Sequence, residues 1–201
     1  MRGILDFLFP PRVDEITLRT VSLDTFLTLV APCVVPATRP ETVILLPFSE
    51  PVVRATIHEA KYHGSDTAFT YLAAALADYL RDADDIKRPI IVSVPLGRER
   101  RKERGFNQVE EIAKRACGEL GIILDADLLS RTRETISQVS LPRTAREENM
   151  RDAFRATRPA DPALTYILVD DVITTGATLQ AAVDALASAG ASHIIPLALA
   201  H

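Results

Sequence analysis

The sequence predicts an α/β protein, a parallel sheet flanked by helices on both faces. Two observations predict it. From about Val52 onward, segments of helical period alternate with short, β-branched apolar runs. Such alternation builds parallel strands joined by crossovers that cover both faces of the sheet. Hydrophobic residues make up 47% of the 201 positions, enough to fill a sizeable core between those layers.

In chain order, residues 1–50 carry six of the thirteen prolines (Pro10, Pro11, Pro32, Pro36, Pro40, Pro47), each restricting helix continuation. They read as an irregular N-terminal appendage with short strands such as Thr42–Leu46, set before a domain spanning 51–201. The run Met1–Pro11 is interrupted by Asp6, is too short for a membrane span and lacks a small-residue cleavage site. It reads as a hydrophobic strap on the core, and a cytoplasmic protein with no membrane partner is expected. Val53–Tyr62 and Thr67–Arg81 look helical, the second with Phe69, Leu72, Leu76 and Leu80 on one face. Pro89–Pro95 suits a buried strand, and the helix Gln108–Leu120 ends at Gly121, a good left-handed cap. Ile122–Leu129 holds a further strand. The polar stretch Ser130–Arg151 has little periodicity, and its length suits a functional loop or lid. Leu164–Val169 is the best strand of the chain. The helix Thr178–Ala189, with Leu179, Val183 and Leu186 on one face, stops at Gly190 before a last strand, His193–Ala200.

A net charge of −4 gives no global attraction for nucleic acid, so direct nucleic-acid binding is not expected. An aromatic content of 5% with no tryptophan leaves few stacking platforms for single strands. Cys33 and Cys117 stand far apart, which argues against a structural zinc and suits a reducing cytosol. The four histidines (His58, His63, His193, His201) show no metal-ligand spacing, and Cys117 reads as a packing residue within a helix.

The decisive stretch is Ile167–Thr178, where a buried strand ends in Asp170-Asp171 and a turn of small residues opens a helix. In open α/β sheets, ligands sit beyond the carboxyl ends of strands. Gly176 permits a tight or left-handed turn that aims main-chain N–H groups inward, and Thr174, Thr175 and Thr178 add hydroxyls. The helix that follows offers unsatisfied N–H groups and the positive end of its dipole. These parts make a phosphate cradle. Two carboxylates beside a phosphate need another partner, and the vicinal hydroxyls of a ribose supply one. The plainer alternative, an acid capping a turn that threonines fill, accounts less well for the order of the motif. The mononucleotide P-loop G-x-x-x-x-G-K-[ST] is absent.

Val169–Thr178 resembles the phosphoribosyl-pyrophosphate signature of type I phosphoribosyltransferases. The resemblance implies that fold, with Asp170 and Asp171 as catalytic residues on the ribose hydroxyls. It implies that Thr174, Thr175, Gly176, Ala177 and Thr178 hold the 5-phosphate. Three further stretches narrow it: Val94-Pro95 with Arg101-x-x-Arg104-Gly105-Phe106-Asn107-Gln108, Lys61-Tyr62-x-Gly64, and the spacing of Gln138, Leu141, Arg146, Asn149, Ala153 and Phe154. Together, over about residues 53–200, they resemble the competence-associated ComF/GntX family. That family usually has an N-terminal zinc ribbon whose cysteine pairs are missing here, and Asp152 stands where glycine is usual. Residues 1–50 would then be a degenerate ribbon region or a hood over the acceptor.

Arg98, Arg100, Arg101, Lys102 and Arg104 read as a pyrophosphate loop, since guanidinium forks suit phosphate oxygens; a solvated charged face is the alternative. Arg131, Arg133, Gln138, Arg143 and Arg146 belong to the expected lid, which would exclude water from an oxocarbenium-like ribose. Mg2+ is expected with the pyrophosphate, held mainly by substrate oxygens and waters, and no zinc. Three functions follow: transfer of a phosphoribosyl group from phosphoribosyl pyrophosphate (or a nucleotide) to an unread acceptor; a non-catalytic ribose-phosphate-binding regulator with protein partners in DNA uptake or metabolism; and, least supported, a single-stranded DNA accessory. The oligomeric state is left open.

Overall fold

The computed structural model describes residues 12–83, 86–132 and 153–201. Its elements are α1 (Val13–Arg19), α2 (Leu23–Leu27), β1 (Cys33–Val35), β2 (Thr42–Leu46), α3 (Pro51–His63), α4 (Asp66–Asp82), β3 (Pro89–Ser93), α5 (Arg98–Arg104), α6 (Gln108–Leu120), β4 (Ile123–Leu124), β5 (Leu129–Arg131), β6 (Phe154–Ala156), β7 (Thr165–Val172), α7 (Ala177–Ser188) and β8 (His193–Ala200). Six strands form one sheet in the order β1-β2-β8-β7-β3-β4. β2, β8, β7, β3 and β4 are mutually parallel, and β1 is antiparallel to β2. β5 and β6 pair separately and antiparallel.

The period of two in the strands sorts the core into two layers. Along β7, Ile167 and Val169 face one layer, while Tyr166 and Leu168 face the other. The first layer is filled by Leu72 and Leu76 of α4 and by Val109 and Ile112 of α6, with Leu18, Phe26 and Ile57 from the first three helices. The second is filled by Leu179, Val183 and Leu186 of α7 and by Leu129 and Phe154 of the small strand pair. Helices therefore cover both faces, as the alternation predicts.

Several boundaries differ from the sequence reading. The irregular first fifty residues contain two short helices, α1 and α2, and two strands that extend the main sheet. Ser22 caps α2 by accepting the Thr25 N–H, a local signal that the proline count hid. The single strand expected over Ile122–Leu129 is two separate pieces. β7 runs past Val169 to Val172, so both aspartates lie inside the strand rather than after it. Residues 133–152, most of the expected lid, lie outside the described residues, as does the strap Met1–Pro11.

Candidate functional site

The sheet order creates a crevice. β3 and β7 are neighbours, yet the chain leaves β3 through α5 and α6 toward β4, and leaves β7 through α7 toward β8. The crossovers depart in opposite directions and on opposite faces, so a cleft opens beyond the carboxyl ends of these two strands. The strands stay together to the rim, where the Val94 N–H donates to Val169 O at 2.9 Å.

One wall is the turn after β7. Gly176 adopts φ +80° and a Cβ there would run into the carbonyl oxygen of Ala37, so both the conformation and the space demand glycine. The loop bearing Ala37 is tied down by Gln180, whose amide accepts the Arg39 N–H at 2.7 Å and donates to Arg39 O at 3.3 Å. Gly176 is also the N-cap of α7, which starts at Ala177, one position before the predicted Thr178, and it brings no side chain to the first-turn N–H groups. Asp170, Val172 and the segment 173–179 enclose a pocket of about 40 Å³. All five predicted phosphate residues, Thr174, Thr175, Gly176, Ala177 and Thr178, line it. Two wider hollows of about 570 and 520 Å³ lie elsewhere, the first beside Thr165 and His193 at the opposite ends of the strands. Size alone does not mark this site.

The other wall carries the basic residues. The run Arg98–Arg104 is a helix, α5, and not a loop: it is built of good helix formers, starts after Gly97 and is closed by Gly105 at φ +80°. None of its side chains is buried. Arg98, Arg101 and Lys102 are exposed, and Arg100 and Arg104 half-buried. Arg101 pairs with Glu110 at 3.4 Å, and the Arg104 guanidinium lies 5.0 Å from the Tyr62 ring centroid.

The two aspartates divide their partners. Asp170 is half-buried and faces the pocket of the turn. Asp171 is buried and faces the layer of α3 and α6: its Oδ1 lies 3.0 Å from Lys61 Nζ, and its Oδ2 accepts Gln108 Nε2 at 2.5 Å. Successive residues of a strand point to opposite faces, which is the reason for the split. The Asp170 carboxyl is pushed up to about 7 by burial and by the Asp171 charge, against the Asp171 N–H it accepts and the positive charges of Lys61 and Arg131. Arg131, which the sequence reading assigns to a lid, stands at the end of β5 with its guanidinium 5.3 Å over Phe154, where its positive charge still acts on Asp170. Arg133, Gln138, Arg143 and Arg146 lie outside the described residues.

Lys61 and Gln108 are the functional candidates that residue-type reasoning missed. They stand in quoted motifs, but a lysine at a helix end and a glutamine in a first turn look like surface residues until the partner across the sheet is known. Two histidines set aside on spacing do converge: ligand atoms of His58, Glu59 and His63 lie within 4.8 Å of one another. The Glu59 carboxylate, however, is filled by the Arg12 fork at 2.9 and 2.7 Å, and His58 pairs with Asp14 at 2.8 Å. Cys117 is buried in the core, where burial raises its thiol to about 11, consistent with packing. No helix among the described residues is long and apolar enough to cross a membrane.

The sequence model of the phosphoribosyl transferase domain matches residues 66–200. Over 152 residues the chain is 33% identical to the DNA utilization protein YhgH of Salmonella typhimurium, covering 72% of this chain and 65% of that protein. Over 115 residues it is 34% identical to competence protein F of Haemophilus influenzae, covering 54% of this chain and 50% of that protein. The chain thus spans between half and two thirds of the length of these relatives. The adenine phosphoribosyltransferase of Leishmania tarentolae overlaps 78% of this chain and 76% of its own at 14% identity and a TM-score of 0.42, too loose a likeness to build on. Since the matched segment runs from α4 through β8 and holds both walls of the cleft, the chain belongs to the phosphoribosyltransferase domain family.

Proposed function

We propose that the cleft binds phosphoribosyl pyrophosphate and that the domain transfers its phosphoribosyl group to an acceptor. The observation that carries this reading is the placement of Asp170 and the 173–179 turn around one small pocket at the switch point of the sheet. The turn would take the 5-phosphate on main-chain N–H groups and threonine hydroxyls. Asp170 would accept from the ribose hydroxyls, with Asp171 behind it. The cations of α5, from the neighbouring strand end, would take the pyrophosphate. The chain's own work would be positioning and charge stabilisation as pyrophosphate leaves the anomeric carbon. Mg2+ fits this donor set, since carboxylates and hydroxyls are hard oxygen ligands. It would ride mainly on pyrophosphate oxygens and waters and neutralise the leaving group. Residues 1–50 stand as a proposed separate segment serving as a hood; the Ala37 contact with Gly176 supports a place beside the turn.

The test is calorimetric titration with phosphoribosyl pyrophosphate and Mg2+, followed by pyrophosphate release over a panel of nucleobases and amines. Binding that Asp170→Asn plus Asp171→Asn abolishes supports the site, and absence of binding to the unaltered chain refutes it. A second reading, a ribose-phosphate-binding regulator without chemistry, is favoured by the relatives' names, which concern DNA utilization and competence. Tight binding with no turnover on any acceptor selects it.

A further inference from the structure

Two of the stretches singled out in the sequence, Lys61-Tyr62-x-Gly64 and Arg104-Gly105-Phe106-Asn107-Gln108, lie far apart in the chain and interlock in space. The Phe106 ring covers Gly64 so closely that a Cβ there would stand 3.2 Å from it. Tyr62 lies under the Arg104 guanidinium. Asn107 ties the junction to the strand end, donating from Nδ2 to Val94 O at 3.1 Å and accepting the Val109 N–H at 3.1 Å. Through the middle runs a polar chain: Lys61 Nζ to Asp171 Oδ1 at 3.0 Å, Gln108 Nε2 to Asp171 Oδ2 at 2.5 Å, and Arg104 Nη1 to Gln108 Oε1 at 3.0 Å. Gln108 is 2% exposed and must donate to a carboxylate while accepting from a guanidinium. An amide does both at once, and only one orientation of it fits. A glutamate would repel Asp171, and a leucine would leave the buried Asp171 carboxylate and the half-buried Arg104 guanidinium without this partner.

We propose that Lys61 and Gln108 are positioning residues: they hold Asp171 as a strut and, through it, fix Arg104 on the pyrophosphate side of the cleft, while Asp170 alone meets the sugar. This rests on the phosphoribosyl-pyrophosphate reading and deepens it. It explains why two adjacent acids are needed when one faces the pocket. Lys61 supplies the counter-charge that lets Asp171 stay beside Asp170, and the strut connects the end of β7 to α5 across the first core layer.

The test compares two ligands on the full chain, phosphoribosyl pyrophosphate with Mg2+ and ribose 5-phosphate, which lacks the pyrophosphate. Lys61→Met, Gln108→Leu and Arg104→Met should each weaken the first by roughly tenfold, the scale of one charged hydrogen bond. Each should leave the second within about threefold, well inside that scale. Lys61→Arg, which keeps the charge, should restore most of the loss, and Lys61→Met should add little on top of Arg104→Met. The strut is refuted if Lys61→Met binds both ligands like the unaltered chain, weakens both equally, or adds in full to Arg104→Met. If the unaltered chain binds neither ligand, the underlying functional reading fails first, an outcome plainly different from loss of discrimination in the variants.

Discussion

Asp170 is the residue on which most turns. Its folded-state carboxyl titrates near 7 against an ordinary value of 3.8, so between about pH 4 and pH 7 the folded chain binds a proton that the unfolded chain has released. Stability from this group is therefore greatest below pH 4 and declines as pH climbs through 7. Asp170→Asn should flatten that decline and raise the melting temperature at pH 8, while weakening phosphoribosyl pyrophosphate; melting curves from pH 5 to 8 check it. An unchanged slope would show that another group sets the pH dependence. Gly176 makes a second residue-scale prediction. Alanine there must hold φ +80° and press on Ala37 O, two penalties in one place. The left-handed conformation alone costs about 1 kcal/mol, so Gly176→Ala should lower the melting temperature by several degrees and abolish ligand binding.

At the scale of elements, α1 is held to α3 by the Arg12–Glu59 fork. Glu59 is fully buried, and its carboxyl is held below the ordinary range by the Arg12 hydrogen bonds, against the opposing effect of burial. The stability this gives is present above the unfolded value of 4.5 and is lost as pH falls through the lower folded value. Removing one partner of a fully buried pair costs about 3–5 kcal/mol; with the Arg12 side chain 48% exposed, about 2 is expected for Arg12→Ala. Denaturant unfolding at pH 7 checks the figure, and Glu59→Gln should suffer less because no charge is stranded. The same elements show what the sequence makes legible. α6 and β8 fall on their predicted bounds because Gly121 and Gly190 mark stops and apolar periodicity marks the rest. α1 and α2 escape because they are short, with one buried side chain each, Leu18 and Phe26, too few for a period to show. α5 escapes for a different reason. An all-polar run has no hydrophobic pattern, and its helix rests on propensity and two flanking glycines. Of the site, the turn and Asp170 were legible because both belong to one continuous stretch. The Asp171 partners were not, since Lys61 and Gln108 reach it from two other elements and nothing local announces the meeting.

For the molecule as a whole, the cleft is a product of topology: α5 and the β7–α7 turn follow neighbouring strand ends only because β3 and β7 are adjacent. A ligand that spans both walls must therefore order two stretches distant in sequence at once. In amide hydrogen exchange, phosphoribosyl pyrophosphate with Mg2+ should slow residues 98–104 and 173–178 together, whereas ribose 5-phosphate should slow only the second stretch. At a hundred times its dissociation constant the full ligand should also add about 2.7 kcal/mol of stability. The wider hollow beside Thr165 and His193 lies at the other ends of β7 and β8, about eight residues of strand away. Amides there should be slowed only by that global stabilisation, and those exchanging through local fraying should not respond at all. Selective protection around Thr165 and His193, with the 173–178 turn unaffected, would place the ligand at the wrong end of the sheet and remove the basis for assigning the acids and the turn to it.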